Sequence, residues 1–483
     1  MTEIAEGRYI VVQEPPLIVS ALGAIPKPNG GVRLIHDCSR PPGCAVNDHA
    51  HITSRISYQT IKHATQLISQ GDYLAKIDLK DAYRSVLINP NHYPCTGLKW
   101  KFKGDSEYTY MCDTRLPFGA RLSVECFHRL SLALQRVLLK KGIKTVVYLD
   151  DILIVSETKE KCASDMSIAI ATIRSLGFGI SYHKVEGPST ALTFLGIQID
   201  TADCTLKLPL DKAQAFKQLL HQFRTKRRAS LKQLQRLAGK LQWATHVVRG
   251  GRIYLQRVLA TMRKLAKPSH KVVLSSEFHA DIDWWLHFMD RFNGKRFNFK
   301  HTFSHHIATD ASLTGGGAIL DHGADWNYLN WAVDMPQFAR GHINEKETIA
   351  VTAAVHRWAP YLADSDVTVV TDNICTMAAI NKGACHSQHV MMHIRSLFWL
   401  ANMFNFTLRC THVPGKDNIL CDSLSRLDQR GHNLFWFSLA SNHQPYNDFN
   451  LRLTYQGHMS HQSLMSLMSQ DHDTHRSSTN SIS

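Results

Sequence analysis

The sequence predicts a multidomain α+β chain, and three observations carry that expectation. Short β-rich runs mix with helical stretches over residues 1–200. A strongly basic and mostly helical segment fills 201–300. Strand–helix alternation then resumes over 301–430 in the pattern of a small α/β domain. A chain of 483 residues is too long for one domain, and 44% apolar with 20% charged content fits a globular chain with real cores. Residues 431–483 turn rich in Ser, His, Gln and Asn and are expected to form a partly disordered C-terminal tail.

Composition also excludes classes. No apolar run approaches a membrane span, so no membrane partner is expected. The start, MTEIAEGRYIVVQEPPL, lacks the basic-then-apolar order of a secretory signal. Eleven cysteines without a C-x-x-C pair indicate neither a zinc ribbon nor a disulfide framework, and reduced thiols in an intracellular protein are expected, in cytoplasm or nucleus. The net charge of +15 suggests a polyanionic partner. Its placement is more specific. From Lys212 to Ser276 there are sixteen Lys plus Arg and no Asp or Glu. A merely solvated face normally includes some acids, so nucleic acid is the better expectation for this segment.

Within 1–200, IPKPNGGVRLIHD (25–37) reads as two strands about an Asn-Gly-Gly turn. YLAKIDL (73–79), KTVVYLDDILIVS (144–156) and ALTFLGIQID (191–200) read as strands, the second long enough to fold back as a hairpin. LSVECFHRLSLALQRVLLKKG (122–142) has helical apolar spacing and a Lys-Lys-Gly stop. In the basic segment, Ser230 with Gln233 forms a capping-box signature. Leu231, Leu234, Leu237, Leu241 and Ala244 then make a core stripe, with Lys232, Arg236 and Lys240 off it. Over 301–430, HHIATDASLTGGGAILD reads as strand, turn and strand, with Gly315–Gly317 as the turn; NEKETIAVTAAVHRWA reads as an amphipathic helix; and DVTVVTDNICTMAAI reads as a strand running into a helix.

Two acids, Asp150 and Asp151, stand side by side inside the apolar run VVYLDDILIVS. A third, Asp78, closes the strand AKID. Buried carboxylates are costly unless compensated, and three converging ones resist ionising together. A hard divalent cation resolves both problems, and Mg2+ also binds substrate phosphates. An acidic hairpin turn is the plain alternative for Asp150–Asp151 alone; Asp78 and the basic segment favour the metal.

These residues resemble a known family. YLDD (148–151) between apolar strands resembles the signature box of reverse transcriptases. KIDLKDAYRSV (76–86) and LPFGARLSVECFHR (116–129) are similar to two further motifs of the same palm. LGFGISYHKV (176–185), FLGIQI (194–199) and the fingers-like IPKPNGGVRLIHDCSR (25–40) follow the family's order and spacing, so the resemblance covers roughly 20–265. It implies a right-hand polymerase of fingers, palm and thumb, with Asp78, Asp150 and Asp151 holding two Mg2+ ions, for which Mn2+ could substitute. Lys27 and Arg33 would contact the phosphates of the incoming nucleotide. Tyr83 would stand beneath its sugar as a gate against the 2′-hydroxyl, with Phe118 near the 3′ side. Lys184 would protonate the leaving pyrophosphate, a general-acid role. Phe194, Leu195 and Gly196 would support the primer end. Each has a plainer reading: an exposed basic hairpin for Lys27 and Arg33, a core ring for Tyr83, a solvated lysine for Lys184.

A second acid set comprises Asp310 and Asp372 at strand ends, Glu347 on the buried face of a helix and Asp422 in a short helical run. Each alone reads as a cap or strand-end acid. Together they resemble the D-E-D-D set of RNase H, and THVPGKDNILCDSLSR (411–426) is similar to the last segment of retrotransposon RNases H. The resemblance implies a second metal-dependent phosphodiester site over 303–428. VPGKDN shortens the loop in which relatives carry a histidine; His412 precedes it and is not clearly equivalent. Gly415–Lys416 lacks the earlier glycine of a phosphate-binding loop.

The implied protein is an RNA- and DNA-directed DNA polymerase with an RNase H-like α/β domain, from a DIRS-like or gypsy-like retroelement. Its expected partners are an RNA template, a DNA primer, RNA/DNA hybrid and dNTPs. A decayed or domesticated nucleic-acid binder is the alternative, disfavoured because all seven acids are present. An RNA-dependent RNA polymerase is opposed by Tyr83 and the second acid set.

Overall fold

Alternation along a strand sends successive side chains to opposite faces. In Tyr73–Lys80 this places Ala75, Ile77 and Leu79 in one core and leaves Asp78 on the other face. The computed structural model describes residues 2–26, 30–51, 56–292, 294–297 and 303–427. The expected tail beyond 430 and the candidate Lys27 lie outside the described residues. Two compact units emerge: 1–226 with 246–248 and 282–299, and 227–245 with 249–281 and the described residues from Phe303 on.

In the first unit, Tyr73–Lys80 is flanked by Asp151–Ser156 on one side and Glu186–Ser189 on the other, with Lys144–Tyr148 at the edge beyond Asp151–Ser156. The expected hairpin over 144–156 therefore forms. Its outer face is covered by the helices Arg121–Lys140 and Lys159–Ser175, through Phe127, Leu134, Leu138, Cys162 and Ile173. Each such buried Phe, Leu or Ile side chain contributes about 1.5–3 kcal/mol. The fingers strands Ala21–Pro26 and Val32–Asp37 pair in register from Ala21–Asp37 to Pro26–Val32, and Gly30 and Gly31 take the positive φ that such a turn needs.

The stretch 191–200 is a hairpin rather than the single expected strand. Ala191–Phe194 pairs with Ile197–Asp200, and Leu195 (φ +47°) and Gly196 (φ +80°) form the turn. Positive φ at both central residues is the geometry a tight hairpin requires, and only the glycine announces it.

In the second unit, Ser230 and Gln233 close the expected capping box. Leu231, Leu234, Leu237, Leu241 and Ala244 are buried while Lys232, Arg236 and Lys240 are exposed. The unit's main sheet runs in the order Asp325–Asn330, Gly315–Leu320, Phe303–Ala311, Ser365–Thr371, Thr407–His412. The first three strands are antiparallel; the last two run parallel to Phe303–Ala311 and to each other.

Two expectations are corrected here. Gly315–Gly317 lies inside a fully buried strand, and the turn is formed by residues 312–314. A Cβ on Gly316 would meet the Trp331 ring at 2.7 Å, and one on Gly317 would meet Leu424 at 2.9 Å. The glycines are small so that neighbouring elements can lie directly on the strand. The helix Ile343–Trp358 is buried along eleven of its sixteen residues, so it is central rather than amphipathic.

Candidate functional site

The 144–156 hairpin turns at Leu149–Asp150 without glycine, proline or asparagine. Leu149 accordingly takes φ +53°, a region unfavourable for a branched side chain. Contacts from elsewhere hold it. The Ser131 hydroxyl donates to the Leu149 carbonyl at 2.8 Å, and the Leu79 N–H donates to the Asp150 carbonyl at 2.9 Å. At the sheet edge, Gln59 Oε1 accepts from the Val147 N–H at 2.8 Å, and Gln135 Nε2 donates to the Thr145 carbonyl at 2.6 Å.

This hairpin sets Asp151 directly opposite Asp78 in the register, with Asp150 next to it. Asp78 is 7% exposed. Burial first, then repulsion by Asp150 and Asp78, pushes the Asp151 carboxyl up to about 6. Asp150 is raised as well, chiefly by burial and then by Asp78. Excess carboxylate charge of this kind is satisfied by a cation. Lys184 Nζ partly supplies one, donating to both Asp78 oxygens at 2.9 and 3.1 Å.

A cleft of about 1170 Å3 opens beside these acids. Arg33, Asp78, Tyr83, Phe118, Asp150 and Lys184 all line it. The Arg33 guanidinium lies 5.1 Å from the Phe118 ring, which is 5.1 Å from Tyr83, itself 5.2 Å from the buried Phe127. Burial, reinforced by Asp150, raises the Tyr83 hydroxyl to about 12, so it stays neutral at physiological pH. Beside Tyr83, the buried Arg84 donates from Nη1 to both Asp113 oxygens at 2.6 and 2.8 Å and from Nη2 to Glu3 at 2.8 Å. Phe194 is completely buried and anchors its turn from below, leaving Leu195 and Gly196 partly exposed at the tip.

In the second unit, Asp310, Glu347 and Asp372 offer carboxylate oxygens all within 4.8 Å of one another. Asp310 lies at 4% exposure near the end of Phe303–Ala311, and Glu347 at 3% on the buried helix. Asp372 follows Ser365–Thr371. Burial, with Asp310 and Asp372 adding repulsion, pushes Glu347 up to about 9. Burial also takes Asp310 to about 6, against a stabilising hydrogen bond from Ser425. Asp310 Oδ2 and Glu347 Oε2 are buried without a hydrogen-bond partner. Three crowded acids, two of them with an unpartnered buried oxygen, are the donor set a hard divalent cation prefers. Asp422, on the helix Ile419–Ser425, is not in this close trio; Arg426 holds it at 2.5 and 3.1 Å, and its charge still acts on Asp310. His412 is exposed at a strand end, its Nε2 3.1 Å from the Asp372 carbonyl.

Residues 25–199 match the family model described as reverse transcriptase (RNA-dependent DNA polymerase). The chain thus carries a reverse transcriptase domain over these residues. Residues 300–397 match a second model, the RNase H-like domain found in reverse transcriptase, a domain type that, like the first, is generally divalent-metal dependent. The genome polyprotein of petunia vein clearing virus (isolate Shepherd) is 23% identical over 374 residues, covering 74% of this chain and 15% of the virus protein. The Pol polyprotein from transposon opus of Drosophila melanogaster is 23% identical over 430 residues, covering 83% and 38%. The chain thus spans well under half the length of these curated relatives. A foamy viral protease-reverse transcriptase solved in complex with RNA/DNA hybrid shares the fold, with TM-score 0.52 and 17% identity over 85% of this chain and 52% of that one.

Several residues that support the two sites escaped sequence reasoning. Gln59 and Gln135 brace the acid hairpin with no local signal. Asn418 Nδ2 donates to the Thr309 carbonyl at 3.0 Å, tying the Asp422 helix to the Asp310 strand; its place just before NILCDSLS was the available hint. A Cβ on Gly415 would lie 2.9 Å from Asp372 Oδ2, so the glycine there leaves that carboxylate room.

Proposed function

We propose that this chain extends a DNA primer on RNA or DNA at the palm acids and cuts the RNA strand of the resulting hybrid at the second acid set. The observation that carries it is two carboxylate clusters in one chain, with Asp150 and Asp151 in one and Asp310 and Glu347 in the other raised by burial and by repulsion from neighbouring acids; the first lies within 25–199, and Asp310, Glu347 and Asp372 of the second lie within 300–397, each segment matching its family model. Asp78, Asp150 and Asp151 would hold two Mg2+ ions, and Asp310, Glu347, Asp372 and Asp422 another two, with Mn2+ able to replace them. When bound, such a pair neutralises charge on the attacking and leaving oxygens of a phosphoryl displacement.

The chain's own residues do the rest. Arg33 meets the nucleotide phosphates, with Lys27. Tyr83, stiffened between Phe118 and Phe127, presents a flat ring to the sugar and excludes a 2′-hydroxyl. Lys184 is in reach of Asp78 and would donate a proton to pyrophosphate once released from that carboxylate. The Leu195–Gly196 turn positions the primer end over the buried Phe194. Exposed Lys232, Arg236 and Lys240 bind duplex phosphates without reading bases. The foamy viral complex with RNA/DNA hybrid supports such a substrate.

The two activities should separate. Asp372→Asn is expected to abolish cutting of RNA in a labelled hybrid while primer extension continues. Loss of both activities together would refute the division into two sites.

A further inference from the structure

Large aromatic rings at a surface are informative when they are grouped and flanked by cations. Trp100 is 49% exposed and Tyr108 56% exposed; Trp100 ends the strand Gly97–Trp100, and Tyr108 immediately precedes its antiparallel partner Thr109–Asp113. Lys99, Lys101 and Lys103 fall within the same five residues, all exposed, and Lys99 Nζ lies 5.0 Å from the Tyr108 ring. Lys99, Trp100, Lys101 and Tyr108 line a shallow cavity of about 420 Å3, floored by residues 19–22. Asp105 and Glu107 follow in the chain but do not line it.

The position of this surface gives it direction. Leu98, Trp100 and Phe102 line the cleft that contains Asp78 and Asp150. Trp100 and Leu22 line both spaces, so the indole lies between the catalytic cleft and the outer cavity. A strand passing from the cleft to this cavity meets the Trp100 indole, the Tyr108 phenol and the Lys99 and Lys101 ammonium groups, with Lys103 exposed two residues further on. Base–aromatic stacking with lysines tracking the backbone is the chemistry of single-strand binding, and it tolerates any sequence.

We propose that Trp100 and Tyr108 form a stacking platform for single-stranded template that has not yet reached the palm, with Lys99, Lys101 and Lys103 holding its phosphates. This rests on the polymerase reading above and adds a template subsite to it. The ligand class is an unpaired polynucleotide of either sugar.

The test uses the full chain and fluorescence anisotropy at fixed salt. One labelled RNA/DNA hybrid carries a short 5′ single-stranded template extension; the other is the same duplex with blunt ends. Wild type is expected to favour the extended hybrid about tenfold, the size of one stacked base. Trp100→Ala and Tyr108→Ala should each draw that ratio toward one, and Trp100→Phe should restore it. Both side chains are half-exposed, and melting curves matched to wild type verify folding. An unchanged ratio in both alanine variants, or no preference in wild type, overturns the platform. In either case, continued primer extension leaves the polymerase reading standing. Wild type that binds neither hybrid overturns both.

Discussion

Glu347 offers the sharpest quantitative test of the second site. Its carboxyl is raised from 4.5 to about 9 by burial, with Asp310 and Asp372 adding repulsion. Between those values the folded chain binds a proton that the unfolded chain has lost. The contribution is therefore fully present below about pH 4.5 and is lost as pH rises toward 9. From pH 5.5 to 8.5 the loss spans three pH units, or about 4 kcal/mol at 1.36 kcal/mol per unit. Against a domain stability of about 5–15 kcal/mol that is large, and it corresponds to a fall in Tm of about 10 °C. Asp310, raised from 3.8 to about 6, adds a smaller loss of the same sign, confined to lower pH. Thermal melts in EDTA over this range should show the fall. Glu347→Gln, which cannot ionise, should flatten most of it, and Mg2+ should reverse it in wild type, because binding the deprotonated site stabilises the folded chain. Wild type and Glu347→Gln sharing one pH dependence in EDTA would refute the reasoning.

Other outcomes follow from particular contacts. Tyr83→Ala should relax discrimination against ribonucleotides in an incorporation assay, and unchanged discrimination would remove Tyr83 from the gate. Gly316→Ala drives a methyl to 2.7 Å from the Trp331 ring and should cost about 1–3 kcal/mol in denaturant unfolding, whereas a neutral effect would mean that Trp331 moves freely. Lys184→Ala removes a cation from Asp78 and should tighten Mn2+ binding at the palm, read by electron paramagnetic resonance with the second site disabled by Asp310→Asn. Unchanged affinity there would show that Lys184 does not compete with the metal.

Much of this architecture was legible because polar residues broke apolar patterns. Asp78, Asp150 and Asp151 stood out against strands otherwise ready for burial, and register then placed Asp78 opposite Asp151. The capping box at Ser230 and the leucine stripe behind it depend only on local spacing, so they emerged as expected. What stayed hidden depends on distant neighbours. Gly315–Gly317 resembles a turn until Trp331 and Leu424 are seen lying on it. The helix around Glu347 reads as amphipathic because Lys346 is charged, yet Lys346 is 2% exposed and donates to the Leu313 and Ala339 carbonyls at 2.7 and 2.9 Å. The 191–200 hairpin was missed because leucine, not glycine or asparagine, takes the first left-handed position. The pairing of Lys184 with Asp78 spans 106 residues, beyond any local pattern.

The central claim is polymerisation at the palm acids, and primer extension on an RNA template with Mg2+ measures it most directly. Wild type should lengthen a DNA primer with dNTPs. Asp150→Asn, which keeps the side chain's shape and removes its charge, should abolish extension while leaving the RNA-cutting activity in place. A wild type that makes no DNA, or an Asp150→Asn variant that extends as well as wild type, would contradict the account.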